Sequence, residues 1–234
     1  MKTGITYECL ETKVNDTALA AEDFIIAGND LEMAYDLPSG KFQLLNETSS
    51  MAFDITNVAH DQFAYRLGIP RSYYRKMLDS STEGDSATQN LLTKNVNHWL
   101  PQSKNHMVRT LTKISDTSSG DCRALLSDRY RRIDNHEVLT HIMPMIRKDE
   151  FKIASCEITP FNMYLKITFP NNRGDVDANV GDVIETGVII RNSEVGWGSC
   201  SIQLFVHRLV CTNGMVVPDK IWSARKNHSG VRLE

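Results

Sequence analysis

Arginine and tyrosine are mixed in two stretches of this chain, and that mixture is the pattern with the most chemical content. The first stretch holds Tyr65, Arg66, Arg71, Tyr73, Tyr74, Arg75 and Lys76. The second, "RALLSDRYRR", holds Arg123, Arg129, Tyr130, Arg131 and Arg132. Guanidinium groups hold phosphate by charge and forked hydrogen bonds, and rings beside them can stack exposed bases. A single-stranded nucleic acid offers both phosphates and bases. Arg66, Arg71, Tyr74, Arg75, Lys76, Arg129, Arg131 and Arg132 are therefore the expected nucleic-acid-binding residues. The structural account competes with this one: tyrosines are commonly core residues with a polar tip, and clustered arginines also form salt-bridged surface.

Other chemistry finds less support. His207 and Cys211 share one face of a strand and, with Cys200, could ligate zinc. No CxxC or HxxxH pair accompanies them, and a buried free cysteine behaves as a small hydrophobe. Cys211 with His207, or Ser193 with Glu194, could be a nucleophile and its base, but such a pair needs a third, orienting group. The chain has no G-x-x-x-x-G-K-[ST] phosphate loop and no dinucleotide fingerprint; Gly196-Trp197-Gly198 lacks the third glycine. The expectation is no catalytic residue, no metal and no cofactor, with a hydrolase around His207 and Cys211 as the most distant reading.

These residues need elements to position them. In "DQFAYRLGIPRSYYRKML" (61–78), Thr56 is placed to cap a helix with Val58, Ala59, Phe63 and Leu67 inward, and Gly68 to end it. Ile69 and Pro70 make the turn, and Tyr73, Met77 and Leu78 mark the buried face of a second helix. Two helices at a tight turn suit a helix-turn-helix reader, and equally a helical corner packed on a sheet. The apolar side of the second helix needs burial, which leaves Arg71, Tyr74 and Arg75 for a partner. That is too few for base reading and enough for phosphate contact. Leu91, Leu92, Val96 and Trp99 predict a third helix, closed by Pro101.

The period then changes from the helical one to two. "HMVRTLTKI", "CRALLSD", "FKIASCEIT", "NMYLKITFP", "VIETGVIIRNS" and "CSIQLFVHRLVC" read as strands. "DNHEVLTHIMPMI" reads as a helix, with Asp134 and Glu137 as a capping box and Pro144 kinking or ending it. A turn is expected at Gly196 and Gly198, one of them at positive φ, and a hairpin at Asn213-Gly214. The fold class is α+β: an N-terminal helical segment, then a mostly antiparallel sheet with one or two packed helices. Residues 106–128 and 151–217 are expected in a single sheet. The corresponding regions are an acidic N-terminal segment (1–52), a helical region (53–105) and a sheet region (106–234), the last two forming one domain.

The 234 residues are 41% hydrophobic and 24% charged, a globular composition. The net charge of -3 is uneven. Residues 1–58 carry three basic and ten acidic side chains, and the remainder 23 basic and 19 acidic. No apolar run has the length of a membrane span, and the N-terminus lacks a signal-peptide pattern. Five scattered cysteines argue against a disulfide framework and for a reducing compartment.

Three stretches resemble a family of phage- and plasmid-encoded proteins, the domain of unknown function 932 family. They are "FAYRLGIPRSYYRKML" with "NVNHWL"; "CRALLSDRYRRIDNHEVL"; and "GVIIRNSEVGWGSCSIQLFVHRLVCTNGMVV" with "NHSG". The resemblance implies a mobile-element origin and a bacterial cytoplasm, and supplies no reaction. It also implies a C-terminal helical part beyond "NHSG" that is absent or shorter here. The leading expectation is a non-enzymatic protein associated with DNA that binds single strands in recombination or replication, without a membrane and with oligomers allowed. The alternative is a protein-binding module, such as an inhibitor of a host defence system, in which the acidic N-terminal segment contacts a host protein.

Overall fold

The structure is a computed structural model that describes residues 5–46, 50–82, 84–113, 116–146, 150–175, 183–209 and 216–228. For residues 82, 113, 116–118, 171–175, 183–185, 207–209 and 216–221 it describes the backbone alone. In chain order the elements are α1 (Tyr7–Ala20), β1 (Ala21–Ile26), β2 (Glu32–Asp36), β3 (Lys41–Asn46), β4 (Met51–Ile55), α2 (Asn57–Arg66), α3 (Arg71–Thr82), α4 (Ser86–Trp99), β5 (His106–Lys113), β6 (Asp116–Ser127), α5 (Asn135–Ile146), β7 (Lys152–Ile158), β8 (Met163–Asp175), β9 (Val183–Asn192), β10 (Cys200–Leu209) and β11 (Val216–Lys226). The class is α+β, as the sequence predicts.

The strands form two sheets, and this corrects the single sheet expected over 106–217. One has the order β1-β5-β6-β4-β3-β2, the other β11-β10-β9-β8-β7. The β5–β6 hairpin cannot join the later strands because both its edges are taken. Strand β1 pairs antiparallel with β5 (Ala21↔Leu111), and β4 pairs parallel with β6 (Ala52↔Ser119). Residues 1–52 are therefore no separate segment: they supply β1, β2, β3 and the start of β4. The chain falls into two compact units, Leu19–Tyr130 and the stretch up to Ala18 taken with the stretch from Arg131. Neither boundary lies at 52/53 or 105/106.

In the Leu19–Tyr130 unit, α2, α3 and α4 lie on the six-stranded sheet. Phe63, Ala64, Tyr74, Met77, Leu78, Leu92 and Val96 pack with Phe42, Leu44, Phe53, Val108 and Leu125. The Thr56 hydroxyl accepts the Ala59 N–H and caps α2, and the chain leaves that helix through Gly68 at φ +67°. Helix α3 buries Tyr74, Met77, Leu78 and Ser81, at i, i+3, i+4 and i+7. Tyr73, expected inward, is 42% exposed, and the ring in the core is that of Tyr74. A similar phase error affects α4. Gln89, Leu92 and Val96 are buried, while Leu91 and Trp99 are 44% and 42% exposed.

In the other unit, α1 and α5 cover one face of the antiparallel sheet. Leu10, Val14, Val138, Leu139, Met143 and Ile146 pack on Cys156, Met163, Leu165, Ile167, Val188 and Ile190. The period-two pattern puts each alternate strand residue on the opposite face. Pro144 lies inside α5 without ending it. At that helix's N-terminus Glu194 Oε1 accepts the Asn135 N–H at 2.7 Å, a carboxylate where the helix dipole favours one. Gly196 has φ +76°, so the expected reversal between β9 and β10 is present. The Asn213-Gly214 turn lies outside the described residues.

Candidate nucleic-acid interface

The helical corner is a locked ion cluster. Arg71 forks onto Asp61, with Nε–H donating to Oδ1 at 3.0 Å and Nη2–H to Oδ2 at 2.8 Å. Arg75 Nε–H also donates to Asp61 Oδ1, at 2.7 Å, and its Nη2–H to the Asn57 carbonyl at 2.9 Å. One carboxylate on α2 thus pins two guanidiniums on α3. Burial works against the charged form of Asp61, yet the bonds from Arg71 and Arg75 outweigh it and hold its pKa at about 2. Beneath the cluster, His60 Nδ1 and the Tyr74 hydroxyl are hydrogen-bonded at 2.8 Å. Burial, with the nearby Arg75 charge, lowers the His60 pKa to about 3, so the ring is neutral at pH 7.

This geometry changes the role of several expected residues. Tyr74 is fully buried, bonded to His60, and cannot stack a base; this corrects its assignment as a binding residue. Arg75 is committed to Asp61 and Asn57. Arg66 is half-buried, and burial lowers its pKa. Lys76 is exposed, as are Tyr65 and, in part, Tyr73. Arg129 is exposed in the same unit, after β6. Arg131 and Arg132 are exposed and belong to the other unit, where the Arg131 backbone is tied to His228 by its N–H (2.9 Å) and its carbonyl (2.9 Å). The expected residues are thus divided between the two units.

The five-stranded sheet presents a different surface, one that the sequence reading missed. Its face opposite α1 and α5 is built from register rows. Glu157, Tyr164, Arg191, Ser201 and Arg225 form one row, and Ser155, Lys166, Ile189, Gln203 and Ser223 the next. A third brings Lys152, Thr168, Gly187 and Phe205 together. Arg191 lies over the Tyr164 ring, Cζ to centroid 5.4 Å, and Lys166 Nζ over the Phe205 ring at 4.8 Å. Phe205 can lie flat because Gly187 is beneath it: a Cβ there would meet Phe205 Cζ at 2.3 Å. Among the described residues, no carboxylate lies within ion-pair distance of Lys152, Lys166, Arg191 or Arg225. The signal was available in "MYLKIT", where Tyr164 and Lys166 alternate with the buried Met163, Leu165 and Ile167.

At one end of this face, two turns hold an exposed aromatic pair. Phe161 and Trp197 meet in a T-shaped contact at 5.1 Å. Elsewhere, a cleft of about 320 Å³ in the Leu19–Tyr130 unit is lined by Lys41, Asp54, Asn57, His60, Asp79 and Asp121 among others. Lys41 is paired there with Asp54 at 2.7 Å. No grouping of three or more His, Cys, Asp or Glu placed to hold a metal is found among the described residues. The His207 side chain and Cys211 lie outside the described residues.

The fold is that of a two-unit α+β protein. Residues 124–232, a little under half of the chain, match the family described as "Domain of unknown function (DUF932)". The match runs from within β6 through α5 to β11, and includes the third of the stretches that carry the resemblance and all of the second but Cys122 and Arg123; the helical corner lies outside it. No curated protein and no solved structure matches the chain. Among the described residues, no helix is long and apolar enough to cross a membrane.

Proposed function

We propose that this protein is a non-enzymatic, nucleic-acid-associated protein of a mobile element, acting in the bacterial cytoplasm. It binds single strands on the open face of the five-stranded sheet. The observation that carries this reading is the state of the cations there. Lys166 and Arg191 lie on the rings of Phe205 and Tyr164 and have no carboxylate partner among the described residues. Arg71 and Arg75, by contrast, already hold Asp61. An unpaired cation can neutralise a phosphate and release its counterion; Phe205 is buried beneath Lys166 and serves as its seat, while the part-exposed Tyr164 can stack a base. Lys152 and Arg225 extend the same charge across the sheet. The helical corner is a scaffold, with Lys76 and Arg129 as outlying cations.

The test is fluorescence anisotropy of a labelled oligothymidylate with the intact chain at rising salt. The expected result is binding at low salt that weakens linearly on a log–log plot. No binding at 20–50 mM salt, about the lower end of the range over which such contacts dominate, overturns the nucleic-acid reading. The host-protein partner is then the better account.

A further inference from the structure

We propose that Trp197, with Phe161, is a stacking site for one unpaired nucleobase, and that it gives the sheet its preference for single strands over duplex. This rests on the nucleic-acid reading above and adds to it a subsite and a ligand class.

The argument starts from how the indole is mounted. The β9–β10 turn is anchored at its base by buried residues: Ser193, Glu194 and Val195. Glu194 is fixed to the N-terminus of α5. The Ser193 hydroxyl donates to the Phe161 carbonyl at 2.7 Å and accepts the Trp197 N–H at 3.0 Å. That one hydroxyl ties together two turns, the other being the β7–β8 turn. The latter is itself closed by Thr159 Oγ1, which accepts N–H groups from Phe161 (3.3 Å) and Asn162 (3.0 Å). Gly196, at φ +76°, reverses the chain just before the indole. The two rings are nevertheless 46% and 37% exposed. Burial of a ring this large is favourable, so a rigid, hydrogen-bonded mount that leaves it half in water points to a ligand.

Position identifies the ligand. Arg191 lies two residues before Ser193 and Tyr164 three residues after Phe161, and Arg225 Nε–H donates to Ser199 Oγ at 2.6 Å, two residues after Trp197. The aromatic pair therefore lies in the turns at the strand ends, beside the row that carries Tyr164, Arg191 and Arg225. Apolar rings next to such cations fit a flat, uncharged group attached to a polyanion, which is a base on its sugar–phosphate backbone. In duplex the base is already stacked and paired, and its faces are unavailable to a ring without flipping or unstacking.

The test compares the intact chain with Trp197→Ala and Trp197→Phe. The probes are a labelled oligoadenylate, an abasic strand of equal length, and a duplex. For Trp197→Ala, affinity for the oligoadenylate should fall about tenfold. Abasic-strand and duplex binding, and the salt slope, should stay at parent values, and Trp197→Phe should recover most of the loss. As a check that does not depend on a variant folding, indole fluorescence of a Trp99→Phe, Trp222→Phe chain should be quenched by the oligoadenylate and not by the abasic strand. Equal losses on base-bearing and abasic strands, or no quenching while binding is intact, overturn the stacking site and leave the nucleic-acid reading standing. Absence of binding by the parent chain overturns both.

Discussion

The helical corner and the open sheet face carry similar residues in opposite states. At the corner, Arg71 and Arg75 close on Asp61, and the fully buried Tyr74 closes on His60. Charge and ring are both spent on holding α2 to α3. On the sheet, Arg191 and Lys166 rest on Tyr164 and Phe205, and a cation over a ring keeps its full charge. A cluster of arginines thus says little about binding until its counterions are known. A single buried carboxylate converts a phosphate site into a hinge pin.

The comparison can be broken by mutation. The largest effect is expected for Lys166→Ala with Arg191→Ala. Two charge-assisted contacts are lost, so affinity for any oligonucleotide should fall by about a hundredfold and the salt slope by about two. Denaturant midpoint should hardly move. If binding survives unchanged, the sheet is not the interface.

Next comes Asp61→Ala, which strands two guanidiniums. Holding the carboxyl at about 2, against an ordinary value of 3.8, corresponds to about 2 kcal/mol of unfolding free energy at pH 7. Denaturation curves should show a loss of that order, with oligonucleotide binding by the folded protein retained. Arg71→Ala with Arg75→Ala should also destabilise, and should change affinity less than about threefold, within the range of lost peripheral charges. A tenfold loss of affinity there would return the corner to the interface.

Acid sharpens the same contrast. His60 is neutral in the fold down to about pH 3, while the unfolded chain protonates near 6.5. Below 6.5 the unfolded state binds a proton that the native state lacks. Stability is therefore fully present above that pH and falls as pH drops toward 3, by up to about 2 kcal/mol between pH 6.5 and 5. Asp61 adds a further loss as pH falls from about 4 through about 2. Replacing His60 by Asn should flatten the profile between pH 6.5 and 5. A profile with the parent's slope would place the proton uptake elsewhere.

Much of the local structure was legible in the sequence. Thr56 as a cap, Gly68 as a stop, the helix at 135–146 and the reversal at Gly196 all follow from short-range backbone chemistry, which a sequence displays directly. What failed was long-range. Nothing in "AEDFII" or "MAFDI" announces that these strands will take the two edges of the β5–β6 hairpin, and so split the expected sheet. Phase is the other weak point. With "SYYRKML", a helix can bury either tyrosine at the cost of a 100° rotation, and the choice depends on His60, fourteen residues earlier. The same limit hid the site. Asp61 lies next to the arginines it neutralises in space, whereas Tyr164, Lys166, Arg191 and Phe205 come together only through register across three strands.

The most direct measurement is a lysine-acetylation footprint of the intact chain, with and without a saturating oligothymidylate, read peptide by peptide by mass spectrometry. Lys166 and Lys152 should be protected by the oligonucleotide and Lys76 should label equally in both samples. Protection of Lys76 with Lys166 unchanged would contradict the account and place the strand on the helical corner.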